Sequence, residues 1–65
     1  LAEVINAIIQ CMGIHDSLTL EEAQSVLPYT PERVKAAFEK MAEDGEFIET
    51  EMKGLGTTLV KRQAL

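Results

Sequence analysis

Apolar residues recur at three- and four-residue spacing over the first twelve positions, which predicts an amphipathic helix over residues 1–12. Its apolar stripe consists of Leu1, Val4, Ile5, Ile8, Ile9 and Met12. Gly13 is expected to end the helix, because glycine tolerates the left-handed backbone common at helix C-termini. A loop then leads to Leu18, which we expect to return to the core, with a short extra strand near residues 17–19.

A second, shorter helix is predicted over residues 20–27. Thr19 and Glu22 have the Thr-x-x-Glu spacing of a capping box, in which each side chain satisfies an amide of the first turn. Pro28 cannot continue the helix, since it lacks an amide hydrogen and clashes with the preceding turn. The predicted inner face consists of Leu20, Ala23, Val26 and Leu27.

A third helix is predicted over residues 31–44. Thr30 is the expected N-cap, and Pro31 stands at the first helical position, where its missing amide costs nothing. Gly45 is expected to close the helix. Lys35 with Glu39, and Lys40 with Asp44, are spaced to form ion pairs along the surface. The predicted buried stripe consists of Val34, Ala37, Phe38 and Met41.

The remainder predicts a β-hairpin, because β-branched and aromatic residues flank a glycine-containing turn. Residues 46–52 and 57–61 form the two strands, and residues 53–56 form the turn. Phe47 and Leu59 are the candidates for the inner face, and residues 62–65 are expected to fray. The predicted core is Val4, Ile5, Ile8, Ile9, Met12, Leu18, Leu20, Ala23, Leu27, Val34, Phe38, Met41, Phe47 and Leu59.

These elements predict an α+β domain over residues 1–65. Only three residues separate Leu27 from Pro31, so the second and third helices are expected to meet at a steep angle, as in a helix-turn-helix. The predicted architecture is a winged helix: a three-helix bundle containing a helix-turn-helix, followed by a β-hairpin wing. The chain begins at Leu1 without a methionine, so we expect it to be excised from a longer protein.

Composition narrows the function classes. The chain carries eleven acidic and six basic side chains, for a net charge of −5, which repels polyphosphates and favours basic partners. Cys11 is the single cysteine, whereas small secreted domains usually carry several, so an intracellular compartment, nucleus or cytoplasm, is expected. No apolar run approaches the roughly 20 residues of a membrane span, so no membrane partner is expected.

The chain resembles winged-helix domains through residues 19–23 (TLEEA), the 28–31 turn, residues 34–41 (VKAAFEKM), residues 44–48 (DGEFI) and the Gly54/Gly56 hairpin. Within that superfamily it is similar to the small acidic C-terminal winged helices of replication proteins. One of them belongs to the middle subunit of replication protein A, which the chain resembles in residues 4–11 and 34–37. The other is the C-terminal domain of the minichromosome maintenance helicases. The extra hairpin glycines depart from that outline. The resemblance implies a domain that docks basic helical segments of replication and repair factors.

Five acids stand within nine residues, without an intervening base, at the end of the third helix and along the first hairpin strand. Acidic residues around apolar ones suit a basic amphipathic helix of a protein partner, since charge steers the encounter and apolar burial holds it. The predicted protein-binding residues are Glu43, Asp44, Glu46, Ile48, Glu49, Glu51 and Met52. A solvated surface that keeps a small domain soluble is the alternative interpretation.

DNA binding is the alternative function, using the third helix and the wing. Such binding relies on Lys and Arg that neutralise phosphates. The candidates are Arg33, Lys35, Lys40, Lys53, Lys61 and Arg62. Residues 31–44 carry three basic and four acidic side chains, so the net charge disfavours this function. A third hypothesis is self-association through Leu1, Leu65 and the open end of the first helix; the oligomeric state stays open.

No cofactor, metal or catalytic function is expected. Cys11, His15 and Asp16 are too few for a structural zinc site, which needs four good ligands. Nothing in the sequence sets Cys11 and His15 into the geometry of a nucleophile and base. Gly54 and Gly56 join two predicted strands, whereas a phosphate-binding loop follows a strand and opens a helix.

Overall fold

The computed structural model describes residues 1–62 of the 65-residue chain. It contains three helices and a three-stranded antiparallel sheet, which confirms the predicted α+β class and the short extra strand. The elements are α1 (Ala2–Met12), β1 (Ser17–Thr19), α2 (Leu20–Val26), α3 (Pro31–Glu43), β2 (Phe47–Met52) and β3 (Gly56–Lys61). Each boundary lies close to its predicted position.

The Thr19 and Thr30 hydroxyls cap α2 and α3 as predicted, whereas the return bond of the capping box, from the Thr19 amide to the Glu22 carboxylate, does not form in the described residues. The Thr19 hydroxyl accepts a hydrogen bond from the Glu22 amide at 3.1 Å, and the Thr30 hydroxyl accepts one from the Arg33 amide at 3.3 Å. Each bond satisfies one of the amides that a first helical turn leaves without a partner. The caps set the starts of α2 and α3 through contacts within a single turn.

Replacing Thr30 with Ala tests the second cap. The Thr30→Ala variant loses the acceptor for the Arg33 amide, so the free energy of unfolding is expected to fall by about 1 kcal/mol. For a domain of this size that corresponds to a drop in Tm of roughly 4–8 °C. Thermal unfolding followed by circular dichroism measures the change. Thr30→Ser keeps the hydroxyl and should unfold near the parent temperature; an equal drop in both variants would contradict the capping role.

The strand order in the sheet is β1-β3-β2, so β3 is central and β2 is an edge strand. Leu59 of β3 pairs with Leu18 of β1 on one side and with Glu49 of β2 on the other. The hairpin closes with the Leu55 amide donating to the Met52 carbonyl at 3.0 Å, and Gly56 follows with φ of 78°. At the far end, the Arg62 amide donates to the Glu46 carbonyl at 3.0 Å. Fraying was predicted for residues 62–65; of these, residues 63–65 lie outside the described residues.

The connections around α3 are short and hydrogen bonded. The Gln24 side-chain amide donates to the Pro31 carbonyl at 3.2 Å, which ties α2 to the start of α3. Tyr29 lies between these helices, and its hydroxyl donates to the Glu3 carboxylate at 3.4 Å. Gly45, at φ of 90°, turns the chain from α3 into β2, a backbone conformation that residues with a Cβ rarely adopt. None of the helices within residues 1–62 has the length and apolar character needed to span a membrane.

One core joins the three helices to one face of the sheet. The predicted core is confirmed at most positions, and the predicted apolar stripe of α3 is buried. Ile5, Leu20 and Leu27 are half-buried against it. Thr58 is buried although no pattern predicted it, and its hydroxyl donates to the Gly56 carbonyl at 3.3 Å. The buried apolar residues are Val4, Ile8, Met12, Leu18, Ala23, Val34, Ala37, Phe38, Met41, Phe47 and Leu59.

Three apolar positions assigned to inner faces are exposed, so those predictions were wrong. Val26 is 62% exposed because it lies roughly 90° around α2 from the line of Leu20, Ala23 and Leu27. Ile9 is 45% exposed because it lies about 100° around α1 from the fully buried Ile8, at the edge of the buried stripe. Leu1 precedes the first helical residue and is also exposed. The apolar stripes in the sequence are wider than the surfaces that a domain this small can cover.

Candidate functional site

The seven residues predicted to bind protein all have exposed side chains. They occupy the last turn of α3, its connection to β2, and β2 itself, and α3 packs against β2. The chain therefore displays a continuous exposed segment that is rich in acidic residues. We call this the acidic surface; it consists of Glu43, Asp44, Glu46, Ile48, Glu49, Glu51 and Met52.

Strand alternation divides β2 into two faces. Phe47, Glu49 and Glu51 share one face, on which Phe47 is buried in the core. Ile48 and Met52 lie on the opposite face and are 43% and 44% exposed. Beyond Phe47 both faces of the strand are accessible, so a partner can reach acidic groups on one face and apolar groups on the other.

The acids are almost free of internal partners. Within residues 1–62 the one ion pair joins the Lys40 ammonium to the Asp44 carboxylate at 3.6 Å, as predicted from their spacing. The predicted pair of Lys35 with Glu39 does not form within 4.0 Å. Glu51 accepts a hydrogen bond from the Thr57 hydroxyl at 2.7 Å, which holds it across the hairpin. Since exposed ion pairs contribute only about 0–1 kcal/mol, a partner can displace the Lys40 contact easily.

A small pocket lies beside the acidic surface, between α1 and the start of β2. Its walls include Ile5, Ile9 and Met41, and Asp44 and Glu46 contribute to its lining. The sequence-based prediction placed Ile9 in the core and so missed it as a surface residue. Its position on the flank of the α1 stripe, about 100° from Ile8, is the signal that could have identified it.

The solvent side of α3 is acidic along its centre. Glu32, Glu39 and Glu43 lie opposite the buried stripe, at the three- and four-residue spacing that aligns side chains on one face, and Ala36 completes the row. The basic residues lie on the two flanks, with Arg33 and Lys40 on one and Lys35 on the other. A helix inserted into a DNA groove by this face would bring three carboxylates toward phosphates and base edges.

The remaining DNA-binding candidates are dispersed along the hairpin. Lys53 is in the exposed turn, whereas Lys61 and Arg62 follow at the other end of β3. At about 3.3 Å per residue, β3 separates the two ends by roughly 17 Å. All six candidates are exposed, but the fold does not gather them into one basic cluster.

The other candidate chemistries gain no support from geometry. Cys11 is half-buried and His15 is exposed, and among residues 1–62 no three His, Cys, Asp or Glu side chains are grouped to hold a metal ion. Gly54 lies in the turn between two antiparallel strands and Gly56 is the first residue of β3, so neither opens a helix. Leu65, invoked for self-association, lies outside the described residues.

Comparison with known proteins leaves the site to be interpreted from its own residues. No family model, curated protein or solved structure matches the chain. The fold, the exposed side chains and their charges are therefore the observations from which a function can be inferred.

Proposed function

We propose that this chain is a non-catalytic winged-helix module that recruits a basic protein partner through its acidic surface. The winged-helix assignment is supported by the element order, three helices with a short strand after the first and a closing hairpin, and by the close succession of α2 and α3. The resemblance to replication-protein domains suggests a DNA replication, repair or transcription assembly inside the cell as the setting.

One observation carries the protein-binding function. Five carboxylates lie on one exposed segment, and within residues 1–62 only Asp44 has a basic side chain within ion-pair distance. Exposed apolar side chains, Ile48 and Met52, accompany them on the same segment. Such a surface attracts a basic segment over a distance of about 8–10 Å at ordinary salt and then holds it by apolar burial.

A titration of the isotopically labelled chain, followed by amide chemical shifts, tests this function. We expect a Lys- and Arg-rich amphipathic peptide to shift the amides of residues 43–52, and the binding to weaken as salt rises. A peptide of the same length and charge, with its apolar residues replaced by Ser, is the matched control and should bind more weakly. Unmoved amides throughout residues 43–52 would contradict protein recruitment by this surface.

Duplex DNA binding is the second candidate, favoured by Arg33 and Lys35, which are exposed and have no acid within 4.0 Å in the described chain. The same titration with duplex DNA separates the two functions. DNA binding requires shifts at Arg33, Lys35 or Lys53 and a steep decline of affinity with salt. Because Glu32, Glu39 and Glu43 line the centre of the same helix face, we expect the peptide to bind more tightly than the duplex.

A further inference from the structure

The outer edge of β2 is unpaired within residues 1–62, since β3 is the only strand beside it. The Arg62 amide bonds to the Glu46 carbonyl, which marks this pair as hydrogen bonded. In an antiparallel ladder, hydrogen-bonded pairs alternate with pairs that are not hydrogen bonded. Ile48 and Thr50 are two and four residues beyond Glu46, so they also direct their amides toward β3. Phe47, Glu49 and Glu51 therefore turn their backbone amides and carbonyls outward, ready to pair with another strand.

The side chains along this edge would specify which strand can pair with it. Glu49 and Glu51 lie on one face, and Ile48 and Met52 lie on the other. A strand added to the edge places its own side chains beside these, alternating between the two faces. The complementary segment thus carries Lys or Arg at every second position, with apolar residues between them.

Charge also excludes the simplest competing occupant, a second copy of the chain. Two β2 strands paired edge to edge would bring the Glu49 and Glu51 carboxylates of both copies together on the sheet. Neighbouring like charges on a sheet are destabilising, and edge charges are a device by which natural proteins prevent such pairing. The same carboxylates favour a basic segment.

We propose that β2 binds an extended basic segment of its protein partner as a fourth strand of the sheet. The segment alternates Lys or Arg with apolar residues; its basic side chains meet Glu49 and Glu51, and its apolar side chains meet Ile48 and Met52. This inference depends on the proposed function, because it specifies how the acidic surface recruits its partner. A slip of one residue would place basic side chains on the apolar face, so the alternation also disfavours such a slip.

The test uses the chain with a seven-residue peptide, acetylated and amidated, that alternates Lys and Val. Three versions are compared: unmodified, N-methylated at its odd positions, and N-methylated at its even positions. Only alternate amides of an added strand point toward β2, so one methylated version should bind about tenfold or more weakly, while the other binds like the unmodified peptide. Equal losses for both methylated versions, or no loss for either, would overturn strand addition.

A variant of the protein supplies an independent readout. Glu49 directs its amide away from β3, so Glu49→Pro removes an outward donor while sparing the ladder inside the hairpin. Glu49→Ala removes the same charge and keeps the amide. We expect Glu49→Pro to bind the Lys/Val peptide several-fold more weakly than Glu49→Ala does, with thermal unfolding recorded for both. Equal affinities in two folded variants would contradict strand addition.

A helical basic peptide distinguishes failure of the inference from failure of the proposed function. If that peptide shifts residues 43–52 while the Lys/Val peptide does not bind, the partner docks as a helix, and strand addition is wrong although recruitment stands. If neither peptide binds, both proposals fail.

Discussion

The Phe38→Ala variant is expected to lose most of the stability of the domain. Phe38 is fully buried on α3, among the largest side chains of the core. Truncating a buried Phe costs about 3–5 kcal/mol, because apolar contacts are lost and a cavity remains. A domain of this length has a free energy of unfolding of only about 3–10 kcal/mol. The loss from this one truncation is therefore a large fraction of the total.

Chemical and thermal denaturation followed by circular dichroism measure that loss. We expect Tm to fall by more than about 12 °C, or the variant to be unfolded at room temperature. Val26→Ala is the matched control, since it removes an apolar side chain that the sequence pattern had assigned to the core but that is exposed. Its stability should stay within about 0.5 kcal/mol of the parent. A large loss at Val26 would show that α2 packs through a different face.

Reversing two charges of the acidic surface is expected to slow partner association by about tenfold or more at low salt. The Glu46→Lys/Glu49→Lys variant places two ammonium groups where the basic partner should arrive, and charge-steered encounters respond strongly to such changes. Stopped-flow or surface-based kinetics with a basic peptide measure the on-rate. The difference from the parent should shrink as salt rises, because screening shortens the reach of the field.

A control variant separates local steering from overall charge. Glu21→Lys/Glu39→Lys changes the net charge from −5 to −1, as does the first pair, but on exposed positions of α2 and α3 outside the acidic surface. We expect a smaller change in on-rate. A small loss of stability should accompany it, because Glu21→Lys places a positive charge in the first turn of α2, where the helix dipole favours an acid. Equal effects on the on-rate in both variants would show that net charge alone governs association.

Local rules in the sequence predict most of the fold. Thr19 and Thr30 mark the helix starts because their hydroxyls cap amides within the same turn, and Pro28 ends α2 because it cannot donate a hydrogen bond. Gly45 allows the chain to leave α3 for β2 at a positive φ. These effects operate over three or four residues, so they can be identified without knowing the rest of the structure.

Which side chains are exposed depends on tertiary contacts, and local rules do not describe these contacts. Ile9 and Val26 belong to apolar stripes, but whether a side chain on the flank of a stripe is covered depends on the neighbouring elements. Thr58 shows the converse, since a polar residue in β3 is buried because the strand is central in the sheet. Both outcomes are decided by packing between residues far apart in the chain.

The candidate site likewise combines features that the sequence determines with features that depend on tertiary structure. The sequence by itself determined the acidic run from Glu43 to Glu51, its apolar neighbours, the surplus of negative charge and the presence of a hairpin, because composition and periodicity are local properties. Only the tertiary structure decided that β2 lies at the edge of the sheet and that Glu49 turns its backbone outward. The physical reason is that strand order and burial arise from long-range pairing, in which β1 takes one side of β3 and leaves β2 with a free edge.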